Sequence, residues 1–166
     1  MLNRPKDVTV TRAEVEDFIF QQAEFIDARD YESWLSLFTD DGTYWIPATP
    51  HDSDPEMQLS FMYDDLPTMV ARCERLLAFG TAGQQPITRS SHVVGNVRLG
   101  EPDSNGDIVV HSRFHVTQFR RDVLKTYVGG FTHHLVTTDE GFKIRRQRVD
   151  LIDCDGLHDT ILQIYL

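Results

Sequence analysis

The spacing of hydrophobic residues changes from helical to alternating partway along the chain. Val15, Phe18, Ile19, Phe25 and Ile26 recur at the interval of one helix face. Thr11 stands three residues before Glu14, a capping box, so an amphipathic helix is predicted over about 11–28. Asp30 can cap a second, short helix from Tyr31 to Phe38, with Trp34, Leu35 and Phe38 turned inward. "TDDG" breaks it, Gly42 supplying a permissive backbone. "TYWIPA" then has the aromatic and β-branched content of a strand that Pro47 ends or places at an edge. Residues 49–60 read as a polar loop. A third helix follows over Leu66–Phe79, with Leu66, Met69, Val70, Cys73, Leu76 and Leu77 on one face. Gly80–Pro86 is a second loop.

Beyond that loop every segment reads as strand. "HVVGNVRL" is followed by a turn at Pro102–Gly106. In the long segment 107–121, Ile108, Val110, Phe114 and Val116 share one parity, and His111, Arg113, His115 and Thr117 share the other. Residues 125–138 form the next strand, where Gly129 and Gly130 suggest a bulge or bend. After a turn at Glu140–Gly141, residues 142–154 form the last. No crossover helix separates these strands, so an antiparallel sheet is expected. Helices first and strands afterwards define an α+β fold: three N-terminal helices packed on one face of a curved antiparallel sheet, a cone with a pocket at its mouth. The whole chain, 1–166, is expected to be one such domain, with residues 1–10 a loose arm.

Composition narrows the function. The formal charge of -10 argues against nucleic acid, whose binding rests on Lys and Arg, and against anionic membrane surfaces. The N-terminal stretch has no apolar signal core, and no run approaches the roughly 20 apolar residues of a membrane span, so a cytoplasmic protein is expected. Cys73 and Cys154 lie in no C-x-x-C pattern and read as buried free thiols.

The seven histidines raise the question of a metal. His111 and His115 share a strand face but stand about 13 Å apart, too far for two ligands each about 2.1 Å from one zinc. His133 and His134 are neighbours on a strand and point to opposite faces. Ser90, Ser91 and His92 lack the nucleophile-elbow pattern. Acid–base chemistry has a better footing: Asp27, Tyr44 and His92 or His115 could surround a small substrate in the cone, as in an isomerase or dehydratase. "KIRRQR" splits by alternation into Lys143 and Arg145 on one face and Arg146 and Arg148 on the other. Either Arg stems lie across a solvated sheet or the guanidinium groups pair with carboxylates of a partner.

Four segments, "WLSLFTDDGTYWIP", "RSSHVVGNVRL", "TYVGGFTHHL" and "FKIRRQRVDLIDCDG", occur in an order and at spacings that resemble the small (beta) subunit of bacterial aromatic-ring-hydroxylating dioxygenases, in the benzoate/anthranilate-type branch. Gly130 and the His133–His134 pair depart from that pattern. The resemblance covers about Val15 to Leu166. It implies a nuclear transport factor 2-like (cystatin-like) cone and a non-catalytic structural role in the terminal oxygenase component, in aromatic-compound degradation. It implies assembly with a large alpha subunit, three of each, and self-association as a trimer. A Rieske [2Fe-2S] cluster and a mononuclear non-haem iron are expected on the alpha subunit and no cofactor, metal or catalytic residue on this chain. Subunit-interface candidates are Tyr44, Trp45, Arg89, His92, Asn96, Arg146 and Arg148, from their aromatic, Arg and polar-face placement. The alternative is a stand-alone dehydratase or isomerase using Asp27, Tyr44 and His92.

Overall fold

The computed structural model describes residues 10–78, 85–158, 162 and 164–166. The expected arm over 1–10, apart from Val10, and the loop Gly80–Pro86, apart from Gln85 and Pro86, lie outside the described residues, as does Phe79, the expected end of the third helix. The elements run α1 (Arg12–Asp27), α2 (Tyr31–Ser36), β1 (Phe38–Pro47), β2 (Ser60–Asp65), α3 (Leu66–Leu77), β3 (Arg89–Leu99), β4 (Ile108–Arg120), β5 (Val123–Thr138) and β6 (Gly141–Leu151).

The capping box at Thr11 and Glu14 forms as expected, and α1 buries Val15, Phe18, Ile19, Gln22 and Ile26. Arg29 then adopts φ 60°, turning the chain out of the helix. Asp30 caps α2 by accepting from the Ser33 N–H, and Asp65 caps α3 through Thr68. The buried stripe of α3 is Met69, Cys73 and Leu76. Both cysteines are free and buried.

The six strands form one sheet in the order β2-β1-β6-β5-β4-β3. The expectation of an antiparallel sheet holds for four pairings and fails for the fifth: β1 and β6 are parallel, with Tyr44 opposite Gln147 and Trp45 opposite Arg148. That pairing joins the start of the chain to its end, so no local crossover announces it. The alternation in β4 stands: Val110, Phe114 and Val116 are buried, whereas His111, Arg113 and His115 are exposed.

Two glycine expectations are corrected. Gly42 has no positive φ; it lies within β1, where an added Cβ would meet the Thr39 carbonyl at 2.8 Å. The β4–β5–β6 register runs unbroken through Gly129 and Gly130, so there is no bulge there. Gly129 is needed for close approach, since a Cβ would fall 2.1 Å from the Asp150 carbonyl oxygen. The register shift in β5–β6 comes later, at His134/Leu135, where β6 accommodates Arg145 as an extra residue. Ile144 and Gln147 therefore both face the core, while Arg146 stays exposed.

Candidate functional site

The interior of the cone is built where the end of α1 meets β3. Asp27 Oδ1 accepts from the Ser90 hydroxyl at 2.7 Å and lies 2.6 Å from His92 Nδ1, and Oδ2 accepts from the His92 backbone N–H at 2.8 Å. Burial pushes the Asp27 carboxyl up, but the hydrogen bonds from His92 and Ser90 outweigh it and hold its pKa below the ordinary value. The carboxylate facing Nδ1 fixes the orientation of the His92 ring. The His92 side chain is 1% exposed, and its Nε2 has no hydrogen-bond partner.

Below His92 a second polar group crosses the core. His133 Nε2 lies 2.9 Å from Gln22 Oε1, and the Gln22 amide donates to Gln147 Oε1. Full burial, with a smaller contribution from neighbouring His134, pushes the His133 pKa down to about 3, so the ring is neutral. Residues Ile164–Leu166 fill the rest. Leu166 is held by Tyr44, whose hydroxyl donates to the Leu166 carbonyl (3.1 Å) and accepts its N–H (3.0 Å). Tyr165 donates to Asp64 at 2.7 Å, and Arg72 grips the same carboxylate at 2.8 and 3.0 Å. The Trp34 and Tyr44 rings pack on Tyr165 at 4.5 and 4.8 Å. A cavity of about 10 Å³ is left, lined by Ile19, Gln22, Ile26, His92, Phe131 and Leu166 among others. That is about the space of one water.

Of the acid–base candidates, the structure brings one pair together and separates the rest. Asp27 and His92 come together. The Tyr44 hydroxyl is committed to Leu166, and burial pushes its pKa well up. His115 lies on the opposite, exposed face of β4.

The interface expectations also divide. Tyr44 is 0% and Trp45 3% exposed, so the chain itself covers both side chains. Trp45 is sealed by the Arg148 guanidinium 4.6 Å over its ring, and its Nε1 donates to Ser60 Oγ at 2.8 Å. Arg148 also chelates Asp150. His92 is turned into the cone. Asn96, at φ 54°, sits at a register shift of β3 and is exposed. Arg89, 4.8 Å over the Phe119 ring, and Arg146 remain on the surface. Asp41 pairs with Arg145 at 2.8 Å, and Arg145 also holds the buried Asp107 at 2.6 Å.

Sequence reasoning missed β2. Ser60, the last residue of the expected loop, and residues 61–65, for which no element was expected, form an edge strand against β1. Met62 and Asp64 face inward, whereas Phe61 and Tyr63 are 41% and 43% exposed, with Leu59 and Met57 before them at 83% and 81%. The readable signal was alternation in "LSFMYDD" with large apolar residues on both parities.

Among the described residues, no group of three or more His, Cys, Asp or Glu side chains is placed to hold a metal ion. Among them too, no helix is long and apolar enough to cross a membrane.

This helix-backed cone is a nuclear transport factor 2-like α+β fold. It is shared with the beta subunit of benzoate 1,2-dioxygenase from Burkholderia mallei, at TM-score 0.73 and 20% identity over 93% of this chain and 99% of that one. The family model for the ring hydroxylating beta subunit matches residues 21–155, and the chain belongs to that family. It is 30% identical over 150 residues to the small oxygenase component of the p-cumate 2,3-dioxygenase system of Pseudomonas putida, covering 89% of this chain and 82% of that protein. It is 28% identical over 156 residues to the anthranilate 1,2-dioxygenase small subunit of Acinetobacter baylyi, covering 91% and 94%.

Proposed function

We propose that this chain contributes shape and contact surface to a cytoplasmic ring-hydroxylating oxygenase, while the chemistry belongs to a large alpha subunit. In this reading three beta chains associate and hold three alpha chains in register. The Rieske cluster and the mononuclear iron sit on the alpha chains, and this chain holds neither. The two relatives named above support an aromatic carboxylate as the substrate class of the assembly.

The observation that carries the proposal is a contrast. The cone, where a stand-alone enzyme of this shape would take its substrate, is filled by Tyr165 and Leu166, 0% and 1% exposed, whereas the β2 edge offers Leu59, Phe61 and Tyr63 to solvent. Burying such side chains against a second chain is worth about 1.5–3 kcal/mol each. Arg89, Asn96 and Arg146 are surface residues that extend the proposed contact area. Arg148 acts at one remove, by holding Trp45 and thereby the start of β2.

The test is co-expression with the Rieske protein encoded by a neighbouring gene. The wild-type chain is expected to co-purify with it, and a Leu59→Asp/Phe61→Asp variant to stay folded and lose the partner. Undiminished co-purification of that variant would remove β2 from the interface. Turnover of a ring substrate by the isolated chain, abolished by Asp27→Asn, would favour the dehydratase reading instead.

A further inference from the structure

The outward face of the sheet gathers cations that the fold leaves unpaired. Residues opposite one another across the β3–β4–β5–β6 ladder share a face. One such row is Gly95, Arg113, Gly130 and Asp150, and the next is Arg98, His111, Thr132 and Arg148. Arg146 follows opposite His134. Arg148 is held by Asp150, and His134 by Asp103. Arg98, Arg113 and Arg146 are exposed and, among the described residues, have no ion-pair partner. The chain has 26 acidic side chains against 16 Lys and Arg, so unpaired guanidinium groups on one face do not follow from a surplus of cations. The row of Arg113 is also kept low. A Cβ on Gly95 would meet nothing within 4 Å, and one on Gly130 would fall 2.9 Å from Arg113 Nη1. The Arg113 guanidinium therefore lies along the strands in a slot that opens toward β3, bordered by Val93 at 68% exposure.

The complementary surface is on the same chain. Between the outer side of α1 and the β5–β6 turn runs a groove of about 860 Å³. It is lined by Asp17 and Glu24, two turns apart on α1, and by Asp139 and Glu140 of the turn, all exposed and, among the described residues, likewise without ion-pair partners. Among the described residues the lining holds no Lys, Arg or His, and Phe18, Phe20 and Phe142 give it an aromatic floor. Such a groove suits a guanidinium group, whose N–H donors match carboxylates and whose plane stacks on rings. We propose that the sheet face of one copy of this chain docks on the acidic groove of the next, Arg98 and Arg113 meeting Asp17 and Glu24. The inference rests on the proposed association of three beta chains. A ring of three joins unlike surfaces, so each chain must present two different and complementary patches, and this chain presents one of each. The sheet patch is separate from the β2 edge: β4, which carries Arg113, lies four strands away, about 19 Å.

The experiment is sedimentation of the full-length chain at low and high salt. Wild type is expected to self-associate, and to do so more weakly at high salt. Arg98→Glu/Arg113→Glu alters only the sheet face, and Asp17→Lys/Glu24→Lys only the groove. Each should weaken association at least about tenfold, because like charges then meet. An equimolar mixture of the two variants should associate again, because every contact between unlike variants pairs opposite charges. If a reversed variant does not fold, Arg113→Gln and Asp17→Asn/Glu24→Gln carry the comparison with a smaller loss. Association unchanged in either variant, or no recovery in the mixture, would overturn this inference and leave the assembly reading standing. A wild-type chain that is monomeric at low salt would overturn it as well, and the number of these chains in the co-purified complex then decides whether the assembly reading falls with it.

Discussion

His133 shows how far burial moves a single residue from its sequence-level reading. In the chain it is half of a His–His pair. In the fold it is enclosed and neutral, hydrogen-bonded to Gln22, with its pKa pushed down from 6.5 to about 3. Because the folded value lies below the unfolded one, the unfolded chain takes the proton first. The stability contributed by neutral His133 is complete above about pH 6.5 and drains away as pH falls toward 3. The urea midpoint should fall across that window in wild type and fall less steeply in His133→Gln; parallel profiles would contradict the assignment. Trp45 is a second residue whose meaning depends on its cover. A sequence marks Trp and Tyr as interface or core without deciding between them; within this chain the Trp45 ring is covered by Arg148 and its N–H is taken by Ser60. Trp45→Ala should cost about 3–5 kcal/mol by denaturant unfolding, as for other buried aromatics. A change within 1 kcal/mol would show that the lid does not seal the ring.

At the scale of elements, what was legible followed from local physics. The capping box of α1, the Asp30 cap of α2 and the period-two pattern of β4 are encoded within a few residues, and each formed where expected. What was not legible depends on residues far apart in the chain. The parallel β1–β6 pair brings Tyr44 to Gln147, and no local pattern records it. The ion pairs of Arg145 with Asp41 and Asp107 explain part of a basic run that alternation alone left ambiguous. The Gly129–Gly130 pair was legible as special but not as to why, since the reason is the approach of the Asp150 carbonyl. Gly129→Ala should therefore destabilise the fold by about 3 kcal/mol or more. Amide exchange should accelerate first along β6, and unchanged protection there would contradict the close-approach account.

For the whole molecule, filling and exposure point the same way. A cone whose interior is closed by Tyr165 and Leu166 keeps only a cavity of about 10 Å³, and the large apolar side chains left exposed include Leu59, Phe61 and Tyr63 at and beside β2. The family of the chain was readable from segments in register; β2 was not, because it is a short strand that falls between the predicted loop and the third helix. The most direct test of the central claim is iron analysis of the co-purified complex after its chains are separated under conditions that retain the metal centres. The account predicts that iron and acid-labile sulfide follow the large chain, and that this chain carries none while restoring activity when added back. Iron retained by this chain alone, or full activity of the large chain without it, would contradict that account.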